Sequence, residues 1–257
     1  MKTEDKTFAT LILAAGKGTR MKSDLVKVLH PVAGRPMLDY VLSLAEQMGS
    51  SRIAVVIGHQ AELVEARYAH RGLTFVYQRE QLGTGHAVLQ AAGAFAGYKG
   101  TILILCGDVP LLQASTLRAL MDRHRFSGAA ITVLTTLLED PFGYGRIVKD
   151  AGGNVLGIVE HRDATEEQKK IREINTGIYC AENPFLFEAV REIGNDNAQR
   201  EYYFTDIFAI ARRKGVRTAS VVAPDPGEVM GINSPEDLAR ATQIVQERLQ
   251  ERLKDSR

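Results

Sequence analysis

Leu13-Ala14-Ala15-Gly16-Lys17-Gly18-Thr19-Arg20-Met21 closes an apolar run, Phe8 to Ala14, that reads as a buried strand. A strand that runs into a glycine-rich loop ahead of a helix is how a parallel α/β sheet begins. Successive backbone N–H groups in such a loop can form a nest for an anion. Glycine permits the backbone angles and lets a phosphate come close. Lys17, Arg20, Lys22 and Lys27 place four positive charges within eleven residues. Two better-known phosphate loops do not fit: G-x-x-x-x-G-K-[ST] fails on spacing, and G-x-G-x-x-G fails because Met21 holds the last position. A plain solvated turn has a similar local sequence. The pairing of Gly16 and Gly18 with dense basic residues is what points to phosphate.

Outward from this loop, short apolar strands alternate with helical patterns. Pro36 opens a helix carrying Leu38, Val41, Leu42, Ala45 and Met48 at helical spacing, and Gly49 closes it. Strands follow at Ile53 to Ile57, Thr74 to Tyr77 and Ile102 to Leu105, with helices over Ala61 to Ala69, Thr84 to Phe95, and from an N-cap at Ser115 to Phe126. That rhythm predicts βαβ units around a sheet buried on both faces. After Ile131 the rhythm changes. Gly152-Gly153-Asn154 between two apolar runs is a hairpin signal, followed by a charged helix at Thr165 to Ile171 and a strand at Ile174 to Cys180. The expected fold is a Rossmann-like mixed, mainly parallel sheet with helices on both faces and a small β-rich lobe. We expect one domain over 1–233, with the lobe inserted at about 140–180. Helices near 184–193 and 203–214 and a strand at Thr218 to Ala223 complete it. Ser234-Pro235-Glu236-Asp237 then starts a C-terminal helix, 234–257.

Composition narrows the partners. Of 257 residues 45% are hydrophobic and 25% charged, a soluble globular profile, and the formal net charge of +1 gives no bulk field to recruit nucleic acid or membrane. The lead Met1 to Thr7 lacks the apolar core of a signal peptide, and no apolar run approaches the ~20 residues of a membrane span. Cys106 and Cys180 lie in apolar runs outside any metal-ligand spacing, as buried thiols do. A cytoplasmic setting is expected. The six histidines are scattered and no G-x-S-x-G elbow occurs, which disfavours metal and serine hydrolases.

Two further stretches carry chemistry. In Leu105-Cys106-Gly107-Asp108-Val109-Pro110 a carboxylate follows a parallel strand, where ligands bind in open α/β sheets. A carboxylate beside a triphosphate is a usual setting for Mg²⁺. An aspartate capping the turn before Pro110 has the same local sequence. Gln78-Arg79-Glu80-Gln81-Leu82-Gly83-Thr84-Gly85 follows the third strand. A glutamine can both donate to and accept from a base edge. An ordinary strand-to-helix loop with Thr84 as N-cap is equally compatible.

Taken in order, LAAGKGTRM (13–21), SDLVKVLHPVAGRPM (23–37), QLGTGHA (81–87), GDVPLL (107–112), DPFGYGRIV (140–148), GIVEHRDAT (157–165), EINTGIY (173–179), EYYFTDI (201–207) and EVMGIN (228–233) resemble the uridylyltransferase half of the bifunctional bacterial enzyme that makes the peptidoglycan precursor UDP-N-acetylglucosamine. The opening loop alone marks the wider sugar nucleotidyltransferase superfamily. The resemblance implies that the backbone of Leu13, Ala14, Ala15 and Gly16 holds nucleoside and phosphates, and that Gln78, Gly83 and Thr84 read uracil. It implies that Arg20 and Lys27 neutralise phosphates and that Asp108 and Asn233 hold Mg²⁺. Gly107, Gly145, Glu160 and Asn175 would grip the sugar, with Tyr203 and Thr205 near its acetamido group or phosphate. The implied substrates are UTP and a sugar 1-phosphate, handled by a monomer or weak oligomer. Rival substrates are glucose 1-phosphate or a thymidine nucleotide, and a rival class is a non-catalytic nucleotide-sugar sensor.

Three departures stand out. Val26 replaces the family's proline before Lys27, Cys106 stands where an aromatic is common, and no left-handed β-helix of hexapeptide repeats follows 234–257. The last departure removes the expectation of acetyl transfer and of the trimer that the β-helix drives.

Overall fold

The computed structural model describes residues 7–255. The polar lead before Thr7 and the last two residues of the expected C-terminal helix lie outside them. Among the described residues there are eleven strands: β1 (Ala9–Leu13), β2 (Pro31–Val32), β3 (Arg35–Pro36), β4 (Ile53–Ile57), β5 (Thr74–Tyr77), β6 (Thr101–Cys106), β7 (Ile131–Leu137), β8 (Arg146–Lys149), β9 (Val155–Val159), β10 (Glu173–Glu182) and β11 (Thr218–Val222). The helices are α1 (Met37–Gln47), α2 (Ala61–Tyr68), α3 (Thr84–Gln90), α4 (Ala114–Ser127), α5 (Glu166–Lys169), α6 (Asn183–Val190), α7 (Ile207–Arg213) and α8 (Pro235–Asp255).

The main sheet runs β11-β7-β10-β6-β1-β4-β5. β6, β1, β4 and β5 are mutually parallel, β11 is parallel to β7, and β10 is antiparallel to both of its neighbours. This is the mixed, mainly parallel Rossmann-like sheet expected. Alternation along the strands sorts its two cores. Leu11, Ile102 and Ile104 face a cluster completed by Val88 of α3, Leu186 of α6 and Phe208 of α7. Ile12, Leu103 and Leu105 face the other side, against Leu42 of α1, Val64 of α2 and Leu117 of α4. Each such side chain, fully removed from water, contributes about 1.5–3 kcal/mol. A third, smaller cluster seats Ala241 and Val245 of α8 on Met21, Val32 and Met37.

Several elements differ from the sequence reading. The strand expected at Ile174 to Cys180 belongs to the main sheet as β10, between β6 and β7, rather than to the lobe. Only its first residues reach the β8–β9 hairpin, through the pair Ile174 and Arg146. Long-range antiparallel pairing leaves no local trace in a sequence. α4 begins at Ala114 rather than after Ser115, because the Gln113 carbonyl already accepts the first helical bond from Leu117 N–H at 3.2 Å. α3 stops at Gln90 and tightens to a 3₁₀ turn, Ala91–Phe95. Pro235 does open α8, with Ser234 Oγ accepting from Asp237 N–H at 3.2 Å.

Candidate active site

The loop after β1 sits among the C-terminal ends of the parallel strands. Leu13 O accepts from Gly107 N–H at 2.9 Å and Ala14 N–H donates to Val56 O at 2.8 Å, so the loop is tied to β6 and β4. A Cβ at Gly16 would meet nothing within 4 Å, so this backbone faces open space. Gly18 has φ +63°, and a Cβ there would lie 2.6 Å from Lys27 Cβ. Glycine is therefore required if the loop and Lys27 are to touch. Together with Gln78, Gly83, Thr84, Lys27 and Asp108, residues Leu13 to Gly16 line a cleft of about 310 Å³. That volume falls in the range of small-molecule sites, about 300–1,000 Å³.

At one end of the cleft four distant residues meet. Lys27 Nζ, at 11% side-chain exposure, bonds Asp108 Oδ2 and also Asn233 Oδ1 at 2.8 Å. Arg20 Nη2 donates to the same Asn233 oxygen at 2.9 Å. The chain after β11 is locked to Asp108 by Ile232 N–H on Asp108 O at 3.0 Å. Asp237 Oδ2 accepts from Asn233 N–H at 2.9 Å and Ser234 N–H at 3.0 Å, so the start of α8 fixes Asn233. The two oxygens, Asp108 Oδ2 and Asn233 Oδ1, converge on one cation, the Lys27 ammonium. A pair of hard oxygen donors set this way suits Mg²⁺, which takes one or two protein oxygens plus phosphate and water. Among the described residues no group of three His, Cys, Asp or Glu side chains could hold a metal alone. Lys17 and Lys22 point outward into solvent.

Along the cleft, Gln78 is only 4% exposed and donates from Nε2 to Gly83 O at 3.0 Å. Gly83 has φ +114°, and a Cβ there would strike Tyr202 O at 2.7 Å. Tyr202 N–H donates to Leu82 O at 2.8 Å and Gly85 N–H donates to Tyr202 O at 2.7 Å, so the 82–85 turn is built against the 202–204 segment. Thr84 is not the side-chain cap of α3, since its Oγ1 accepts from Phe204 N–H at 3.1 Å. Gln81 and Glu201 also line the cleft, and sequence reasoning passed over both. Both lay inside quoted stretches, Gln81 in 78–85 and Glu201 in 201–207, but neither was given a role.

Gly145, Glu160 and Asn175 come together on the hairpin side. A Cβ on Gly145 would lie 3.4 Å from Glu160 Oε1 and 3.5 Å from Asn175 Cβ. Thr205 Oγ1 donates to Glu160 Oε1 at 3.0 Å, and Asn175 Oδ1 accepts from Tyr179 Oη at 2.8 Å and Gly177 N–H at 3.0 Å. Burial raises the Glu160 carboxyl above the usual glutamate range, partly offset by the Thr205 hydroxyl. Tyr203 is buried, with its hydroxyl near Asp163. Burial and the charge of Asp163 push it up to about 12. Gly107 already donates its N–H to Leu13, so a sugar contact there would fall to its carbonyl. Tyr144, which the sequence reading did not single out, is held above its usual pKa by burial first and then by the charge of Asp237. The charge of Arg20 lowers it and that of Asp108 raises it, both less than burial does.

A parallel-sheet cleft with a glycine loop, paired cations and converging oxygens is the arrangement of nucleotide transfer. Residues 10–173 match the model of the MobA-like NTP transferase domain, and the chain belongs to that family. More narrowly, it is 54% identical over 247 residues to the Bifunctional protein GlmU of Geobacter metallireducens, covering 96% of this chain and 52% of that one. It is 54% identical over 246 residues to the Bifunctional protein GlmU of Syntrophotalea carbinolica, covering 96% and 53%. The chain thus spans about half the length of the curated relatives it matches. A crystal structure of UDP-glucose pyrophosphorylase complexed with UDP-glucose superposes with a TM-score of 0.73 at 18% identity, covering 94% of this chain and 99% of that one. At that identity the likeness is one of fold. No helix among the described residues is long and apolar enough to cross a membrane.

Proposed function

We propose that this chain transfers a uridylyl group from UTP to N-acetylglucosamine 1-phosphate, giving UDP-N-acetylglucosamine and pyrophosphate. The observation that carries this reading is the meeting of Arg20, Lys27, Asp108 and Asn233 at the end of the glycine-loop cleft. A protein that only bound a nucleotide-sugar would not need cations and metal-suited oxygens gathered at one point. Relatives that share half of this chain's residues, and the motif order, support the uridylyl and N-acetylglucosamine assignments.

In the reaction a phosphate oxygen of the sugar attacks the α-phosphorus of UTP in line. A new P–O bond forms, and the bond to the bridging oxygen of pyrophosphate breaks. The nucleophile is already anionic at neutral pH, so no strong general base is required. Bringing two polyanions together is a matter of positioning and electrostatics. On this reading Arg20 and Lys27 neutralise phosphate charge, and the backbone of Leu13 to Gly16 orients the triphosphate. Gln78, Gly83 and Thr84 address the uracil, while Glu160, Asn175 and Thr205 address the sugar. Asp108 and Asn233 would hold Mg²⁺, which when bound offsets charge on the triphosphate and on the departing pyrophosphate. Cys106 is half-buried on the cleft wall rather than fully buried as expected; its thiol donates to Gly177 O, and desolvation pushes it up to about 12. The working unit is the domain of 1–233 with its β8–β9 hairpin lobe, acting on small molecules in the cytoplasm as a monomer or weak oligomer, without nucleic acid or membrane.

Pyrophosphate release from a panel of triphosphates and sugar 1-phosphates tests this. UTP with N-acetylglucosamine 1-phosphate should exceed UTP with glucose 1-phosphate and dTTP with either. A site built to bond the acetamido group rejects the analogue lacking it. Equal kcat/KM for the two sugars overturns the sugar assignment. Tight UDP-sugar binding with no pyrophosphate release overturns the enzyme reading itself.

A further inference from the structure

We propose that Gln60 is a positioning residue for Lys27: its side-chain amide holds the backbone of residues 24–26 in the shape that delivers Lys27 to Asp108 and Asn233. The inference rests on the role given to Lys27 above.

Gln60 Oε1 accepts from Val26 N–H at 2.8 Å, and Gln60 Nε2 donates to Asp24 O at 2.7 Å. One amide group therefore fastens two main-chain groups of the segment that leads directly into Lys27. Val26 has a fully buried side chain, so its N–H has little other recourse. A buried donor without a partner is costly, and the glutamine oxygen meets that need. Gln60 itself stands just before α2 at φ +51° and ψ 39°, a left-handed conformation that glycine adopts freely and glutamine does not. The strain is kept, and what the side chain adds there is the two bonds to the lysine segment.

Downstream the segment has no slack. Lys27–Leu29 is a 3₁₀ turn in which Leu29 N–H donates to Val26 O at 3.0 Å. On the opposite side Lys27 Cβ packs against Gly18, where no Cβ fits. Gln60 sets the backbone that leads into Lys27, and Gly18 leaves room for the first carbons of its side chain, so together they fix where that side chain starts.

Val26 has φ −54° and ψ 135°, angles that proline adopts. A proline at 26 would impose the same backbone covalently and would carry no N–H. Its ring would occupy the space of that hydrogen and collide with Gln60 Oε1, 2.8 Å from the nitrogen. Gln60 with valine, and a small residue at 60 with proline at 26, are thus two mutually exclusive ways to hold one loop. The signature is sign epistasis, which a double-mutant cycle reads directly.

The experiment compares wild type, Gln60→Ala, Val26→Pro and the double variant. It measures pyrophosphate release (kcat and KM separately), hydrogen exchange over residues 24–30, and Tm. Gln60→Ala should lower kcat by about 10- to 100-fold, the range expected when a reacting group is displaced by ~1 Å, with faster exchange over 24–30. Val26→Pro alone should also lose activity, and adding Gln60→Ala to it should recover most of that loss. Gln60→Glu keeps the acceptor for Val26 N–H but not the donor to Asp24, so exchange at Val26 should stay slow there even if the double variant folds poorly. Wild-type kcat and exchange in Gln60→Ala, or fast exchange at Val26 in Gln60→Glu, overturns the proposal. So does a folded double variant no more active than Val26→Pro. Absence of pyrophosphate release from wild type would instead count against the function reading, and the exchange pattern would still decide the role of Gln60.

Discussion

Asp108 is half of a part-buried ion pair, with side-chain exposures of 11% for Lys27 and 24% for Asp108. Partial burial makes such a pair more sensitive to loss of a partner than a surface pair. Asp108→Asn keeps the size and removes the charge, so turnover is expected to fall by at least ~100-fold at saturating Mg²⁺, as for loss of a key electrostatic group. Near-normal turnover in the pyrophosphate assay would remove Asp108 from the metal role. Glu160 behaves differently. Burial holds its carboxyl above the ordinary glutamate range, so the folded state keeps that proton to higher pH than the unfolded chain. Its contribution therefore favours folding at acid pH and is lost as pH rises through the raised value. Glu160→Gln should raise Tm at neutral pH, with the gain shrinking as pH drops into the ordinary glutamate range, while kcat/KM for the sugar phosphate falls. Thermal scans across that range, set beside kinetics, check both halves, and an unchanged Tm at neutral pH contradicts the first.

At the level of elements, α8 joins stability to the site. Its first turn accepts two backbone N–H groups, from Asn233 and Ser234, on one Asp237 oxygen. Asp237→Ala should cost about 1 kcal/mol, the usual worth of a helix cap. It should also free the Asn233 backbone, and so raise the Mg²⁺ concentration for half-maximal activity as well as lower Tm. A drop in Tm with no change in Mg²⁺ dependence would separate the cap from the site. The same element shows what a sequence carries. Ser234-Pro235 announced α8 because caps are local chemistry, and Gly16 to Arg20 announced the loop because glycines and charges sit side by side. The place of β10 was not legible, since partners such as Thr132 and Leu103, 48 and 77 residues before Cys180, leave no mark in its own residues. Nor was Gln60, whose left-handed backbone has no signature in a glutamine. Gly145, Glu160 and Asn175 became visible through resemblance rather than spacing, because three separate segments supply them.

For the molecule as a whole, the sheet is unbroken from β11 to β5, and one core cluster takes in Leu11 and Ala54 as well as Ile147, Val155 and Ile158 of the hairpin lobe. Neither side can lose its packing without exposing the other's. Urea unfolding should therefore be one transition by far-UV circular dichroism and by tyrosine fluorescence, the natural probe in a chain with 8 Tyr and no Trp. An early fluorescence change confined to the lobe would contradict this.

The position of β10 between β6 and β7 also bears on how the chain is made. Both neighbours leave the ribosome first, and Leu137 precedes Glu173 by 36 residues, on the order of a few seconds of synthesis. During that interval β7 has neither sheet partner, since β10 and β11 both follow it. If β6 and β7 paired directly, they would have to be parted again to admit β10. The waiting strand, Ile131–Leu137, reads ITVLTTL, and its three threonines dilute the apolar run that would otherwise invite an early and wrong neighbour.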